Sequence, residues 1–195
     1  MEVAIRLSNL TLCMEIINET NKTSTILKDY KKIIIQHSLY IEHNLEIGVL
    51  NGKISAGNHF LANLSGLAIS GMAHDYSPLT KKWAEVGINA LEQEMKNMVT
   101  DDGFYFESST SYNRLAIELF LFPAIIGKAK GFVFSSYYLN KLEKMIENIL
   151  YLNTPGDTIP QIGDADDGRL FILSEYSKWN RNDHGYLLGI GALFF

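Results

Sequence analysis

The chain has 195 residues, enough for one domain with a substantial buried core. Its formal net charge of -5 argues against a nucleic-acid partner, and its single cysteine, Cys13, excludes an internal disulfide and a cysteine-built zinc site. The opening MEVAIRLSNL lacks the basic start and apolar core of a signal peptide, and no apolar run reaches the ~18 residues of a membrane span, so no membrane partner is expected.

Apolar residues recur at three-to-four spacing and strand-like alternation is scarce, which predicts an all-α chain. The first two helices fall at about 2–19 and 24–44, joined by a short connection at 20–23, with Cys13 expected as a small buried hydrophobe. A long loop at 45–57 leads to a helix over 58–74. A short turn at 75–77 then starts the helix 78–98, where Ser77 is the cap and Pro78 takes the first helical position. Asp101-Asp102-Gly103 stops that helix within a long loop, 99–109. Helices over 110–130 and 136–152 flank a short connection at 131–135. Thr154-Pro155-Gly156-Asp157 is turn chemistry in the long stretch 153–169, and one or two shorter helices follow from about 170. The chain opens inside a helical pattern and stops on GYLLGIGALFF, so it is expected to be a single partial domain, 1–195, cut at both ends.

The connections alternate between short and long. Successive antiparallel helices send their loops to opposite rims, so all the long loops share one rim, where binding residues concentrate. Three polar clusters come to that rim: Asn58-His59 at the start of one helix, Glu107 with Tyr112 and Arg114 two helices on, and Asp164, Asp166 and Arg169 in the next long loop. His43 and Asn44 arrive there from the end of the second helix. Crowded helix N-termini would offer unpaired N–H groups to an anion. Glu107 and Arg114 are also read as an ion pair holding the loop, and Arg169 as a brace for the aspartates. Gly168 stands at the fifth position of the aspartate run, not the sixth, so the EF-hand pattern fails. His37 and His74 read as ordinary helix-end residues, and His184 carries no signal. Trp83 reads as core, while Trp179 is a candidate sugar platform.

The segments EVAIRLSNL, IEHNLE, GNHFLANLSGLAISG, DGFYFESSTSYNR and IPQIGDADDGR agree in order and spacing with one family. The chain resembles the heparinase II/III-like and alginate-lyase-like polysaccharide lyases. The resemblance implies an incomplete α/α toroid built from antiparallel helical hairpins. It also implies a C-terminal β-sandwich domain in a full-length version, absent from this chain, that adds a histidine or tyrosine to the site. The implied activity is cleavage of a uronic-acid-containing polysaccharide by β-elimination, with no cofactor or metal. The implied catalytic set is Asn58 neutralising the uronate carboxylate, with His59 and Tyr112 as acid/base groups. Arg114, Glu107, His43, Asn44, Asp164, Asp166 and Arg169 are the candidate substrate-binding residues. The family leads one to expect a periplasmic or secreted location.

The chemistry explains these residue types. Removing the C5 proton beside a carboxylate leaves a carbanion whose charge must spread into that carboxylate, so donors must meet its oxygens. An amide supplies two such N–H groups and a suitably protonated imidazole another. Tyrosine, with an ordinary pKa of ~10, needs a cation or a helix N-terminus to become a base. Arg114 is nearest in sequence but two residues away, so on a helix it faces elsewhere. Two alternatives use the same residues: a uronyl C5-epimerase, and a non-catalytic fragment that binds acidic glycan.

Overall fold

The computed structural model describes residues 1–20, 26–50, 53–154, 158–173, 177 and 180–195. Among the described residues seven helices run in chain order: α1 (Glu2–Thr20), α2 (Ile26–His43), α3 (Asn58–Ala73), α4 (Pro78–Met98), α5 (Thr110–Lys130), α6 (Ser136–Leu152) and α7 (Gly185–Phe194). A small antiparallel hairpin, β1 (Gly48–Leu50) with β2 (Lys53–Ser55), lies in the loop before α3. Scarce alternation had hidden this hairpin. The available signal was the Asn-Gly pair at 51–52, which lies outside the described residues. The turn predicted at 154–157 also falls largely outside them, as does Trp179.

Local chemistry sets the helix ends. Thr80, three residues into α4, takes the Ser77 N–H on its hydroxyl (3.4 Å) and returns a bond to the Ser77 carbonyl (2.7 Å), while Pro78 occupies the first position. Ser109 and Ser135 cap α5 and α6 by accepting the N–H groups of Tyr112 (3.2 Å) and Tyr138 (3.1 Å). Helix α5 ends at Gly131, whose φ of 82° only glycine adopts cheaply, and Phe132 N–H then closes on the Gly127 carbonyl at 2.8 Å.

Helices α1, α3 and α5 form an inner row, and α2, α4 and α6 cover it from outside. Met72 near the end of α3 meets Gly127 near the end of α5, while Asn58 and Glu107 meet at their starts, so these two run parallel. Gly71 opposes Ala84 and Gly87 opposes Ala68, so α3 and α4 run antiparallel. Helix α3 is buried from Leu61 to Met72 because its residues are apolar or small on every side. An all-α, incomplete α/α toroid is the resulting fold class. Cys13 departs from expectation: it is exposed on α1, whose covered face is carried by Ala4, Leu7 and Met14.

Candidate active site on the long-loop rim

The parallel inner row brings the starts of α3 and α5 to one rim, together with the loops before them and the loop after α6. Hydrogen bonds tie these pieces together. Thr110 donates from its backbone to the Ile162 carbonyl (3.0 Å), its hydroxyl meets Pro160 O and Ile162 N (each 3.1 Å), and the Ser109 hydroxyl donates to the Asp164 carbonyl. Gly163, at φ 71°, sits where a Cβ would stand 2.9 Å from the Ser108 carbonyl, so the two loops touch through glycine.

Asn58 opens α3 behind Gly57, a residue with no side chain to cap the helix. Glu107 supplies the cap from the next long loop. Its carboxylate accepts the Asn58 backbone N–H (3.2 Å) and the Asn58 Nδ2 at both oxygens (3.2 and 3.1 Å). The Tyr105 hydroxyl donates to the same carboxylate at 3.2 Å. The predicted Glu107–Arg114 pair is therefore replaced by a Glu107–Asn58–Tyr105 cluster. With the first amides of α3 and α5 bonded to Glu107 and to Ile162, the rim presents fewer open N–H groups than the sequence suggested.

His59, its side chain 52% exposed, points Nδ1 at Glu46 Oε2, 2.6 Å away. Glu46 is held in turn: its backbone N–H donates to Asn63 Oδ1 (2.8 Å) and its carboxylate accepts Asn63 Nδ2 (3.3 Å). In the neutral ring a carboxylate on Nδ1 places the proton there, so that Nε2 carries the lone pair. Glu46 lies inside the quoted IEHNLE segment, yet only its contact with His59 gives it a task.

Tyr112 lies in the first turn of α5, partly buried, within electrostatic reach of Asp166. Desolvation and then the charges of Asp166, Asp164 and Glu107 raise its pKa above the ordinary tyrosine value. The cation or helix end that would have lowered it is outweighed. Arg114 faces elsewhere, as its spacing required. It is fully buried, donates to the Gly168 carbonyl (2.9 Å), and cannot reach a ligand on the rim.

Arg169 also turns inward. Instead of bracing the aspartates it pairs with Glu118 (3.4 Å) and lies 4.2 Å from the centre of the Tyr186 ring. Glu118, fully buried on α5, further accepts the Leu170 N–H (2.6 Å) and the Tyr186 hydroxyl. Burial raises the Glu118 pKa, against the opposing pull of Tyr186, Leu170 and the two arginines. Arg114 and Glu118, one turn apart on α5, thus clamp residues 168–170 and thereby set Asp164 and Asp166 beside Tyr112. Neither Glu118 nor Tyr186 carries a sequence signal for this, because their partners arrive from the far loop.

His43 and Asn44 close the C-terminal end of α2, bonding the Leu39 (2.7 Å) and Tyr40 (2.8 Å) carbonyls, and both stay exposed. His37 does the same with Ile33 (2.9 Å). His74 and His184 are buried, and desolvation pushes each pKa down to about 4. Trp83 is core, with Nε1 donating to Glu42 at 2.9 Å. Among the described residues no group of three or more His, Cys, Asp or Glu could hold a metal, and no helix is long and apolar enough to cross a membrane.

A parallel inner row, an antiparallel outer row and one rim of polar loops define the class: a helical toroid segment with a polar rim. The family follows from direct comparison. Residues 1–182 match the heparinase II/III N-terminus family, and the chain belongs to it. It is 28% identical over 130 residues to a heparin-sulfate lyase of Pedobacter heparinus, covering 64% of this chain and 19% of that protein. A heparin-sulfate lyase of Bacteroides stercoris is 28% identical over 142 residues, covering 71% and 21%. The chain therefore spans about a fifth of the length of these curated relatives. The crystal structure of a heparinase III superposes with a TM-score of 0.67 at 19% identity, over 82% of this chain and 24% of that one, and shows the shared fold.

Proposed function

We propose that this chain supplies part of the groove of a polysaccharide lyase that cleaves a uronate-containing polymer by β-elimination. The observation that carries the reading is the placement of Asn58 and Tyr112 on one rim, with Glu107 bonded to the first and electrostatically felt at the second. Under this reading the substrate carboxylate rests on the Asn58 amide at the start of α3, where charge developing at C5 is drawn into the held carboxylate. His59, with Nδ1–H engaged by Glu46, presents Nε2 to take the C5 proton. Tyr112 keeps its proton in its acidic surroundings and delivers it to the departing O4. The C5–H and C4–O bonds break and a C4–C5 double bond forms. The C5 proton ends on His59, the Tyr112 proton on the new hydroxyl, and solvent restores both groups.

The lyase class is supported by the names of the relatives. As the resemblance implies, the 195 residues are part of one toroid domain, a β-sandwich domain adds a further histidine or tyrosine, and the enzyme works in the periplasm or outside the cell. Incubation of the protein with heparan sulfate, alginate and hyaluronan tests the reaction. Unsaturated products absorbing in the near ultraviolet are expected; exclusively saturated products would overturn it. Deuterium uptake at C5 without chain cleavage would turn the reading to an epimerase.

A further inference from the structure

Glu107 holds Asn58 from two directions. Oε1 accepts the Asn58 backbone N–H, the Asn58 Nδ2 and the Tyr105 hydroxyl, each at 3.2 Å, and Oε2 accepts Nδ2 at 3.1 Å. An amide facing a carboxylate has one acceptable orientation, because a carbonyl oxygen turned to the same place would meet negative charge. Nδ2 therefore faces Glu107 and Oδ1 faces away. Tyr105 is buried and its pKa is raised, by desolvation first and by Glu107 next, so it keeps its proton and meets the carboxylate as a donor. Gly57 makes room for the arrangement, since a Cβ there would stand 3.0 Å from Oε1. The glycine before Asn58 thus has a steric reason that belongs to Glu107.

We propose that Glu107 is a positioning residue, acting on the ligand through Asn58: it fixes the amide so that one Nδ2 hydrogen is spent on Glu107 and the other is left for a uronate carboxylate. The identity of that ligand rests on the lyase reading above; the fixing of the amide does not. Glu107→Gln keeps the size of the side chain but replaces one acceptor by an NH2 group. The Asn58 backbone N–H still requires its oxygen, so its nitrogen meets Asn58 Nδ2, donor against donor. The Asn58 amide then turns over and offers Oδ1 where the ligand needs an N–H.

The test is the side-chain amide spectrum of the nitrogen-15-labelled chain, with the Asn58 NH2 pair assigned through Asn58→Ala. In the native chain this pair is expected to shift with the titration of a carboxyl group in the acid range. That response should disappear in Glu107→Gln and persist in Glu42→Gln. In Glu107→Gln, the concentration of a glucuronate-containing tetrasaccharide that perturbs the first turn of α3 should rise about tenfold. An Asn58 pair indifferent to pH in the native chain, or unaltered by Glu107→Gln, would overturn the proposal. The native titration needs no variant and no sugar. It therefore stands if Glu107→Gln fails to fold, and its failure is distinct from absence of lyase products.

Discussion

Tyr112 sits among carboxylates, and that decides which half of an acid/base pair it can be. With Asp166, Asp164 and Glu107 nearby, the phenolate is disfavoured and the hydroxyl remains a donor through neutral pH. We predict that the Tyr112 ring carbon bearing the hydroxyl, followed by carbon-13 NMR against Tyr112→Phe, titrates with a midpoint above the ordinary tyrosine value of ~10. A midpoint near 8 would make Tyr112 a base and reverse its assigned role. Asn58, His59 and Tyr112 were visible in the sequence because each stands at a helix start with a distinctive neighbourhood. The directions of Arg114 and Arg169 were harder to read. Both turn into the interior because Glu118, buried on α5, draws the 168–170 segment inward, and a buried carboxylate looks in sequence like any other glutamate. Glu46 was missed for the same reason, its task being set by a partner thirteen residues on.

Among elements, the α3–α4 contact is the closest packed. A Cβ on Gly71 would lie 2.3 Å from the Ala84 nitrogen, and one on Gly87 would lie 2.8 Å from Ala68. Backbone meets backbone there, so no side-chain rearrangement relieves an added methyl. Gly71→Ala is predicted to destabilise the protein by at least about 2 kcal/mol in urea unfolding, the upper part of the usual overpacking range. Gly189 lies in α7 with nothing within 4 Å of a built Cβ, so Gly189→Ala should raise stability by about 0.5–1 kcal/mol. Equal effects of the two substitutions would contradict the packing described. The six long helices were legible from three-to-four periodicity, sharpened at α4 by Ser77 and Pro78 before it and Asp101-Asp102-Gly103 after it. The hairpin before α3 was not, since three residues per strand are too few for alternation to register. The last helix begins at Gly185; ahead of it, Glu118 holds the Leu170 N–H and Arg114 reaches the Arg181 carbonyl.

At the scale of the molecule, two buried imidazoles set the acid limit. His74 packs between Tyr30 and Tyr76 near the short-loop rim, and His184 lies at the start of α7. Both have folded pKa values of about 4 against ~6.5 unfolded, so the unfolded chain binds more protons between those values. Their stabilising contribution is complete above pH ~6.5 and is lost as pH falls toward 4, on the order of 3 kcal/mol for each. The raised pKa of Glu118 works in the opposite direction, favouring the fold as it protonates. Urea unfolding from pH 7 to pH 4 should show the net loss, reduced in His74→Phe if that variant folds; a flat profile would remove both histidines from the account.

The rim carries the functional claim, and it can be examined directly without turnover. Backbone amide shifts of the labelled chain should be followed during addition of a tetrasaccharide of alternating glucuronate and N-acetylhexosamine. The perturbed residues are predicted to lie at 44–46, 57–59, 107–112 and 164–168, leaving 74–77 and 131–135 unmoved. Perturbation confined to the short-loop rim, or none at millimolar sugar, would contradict the assignment of this rim to uronate binding.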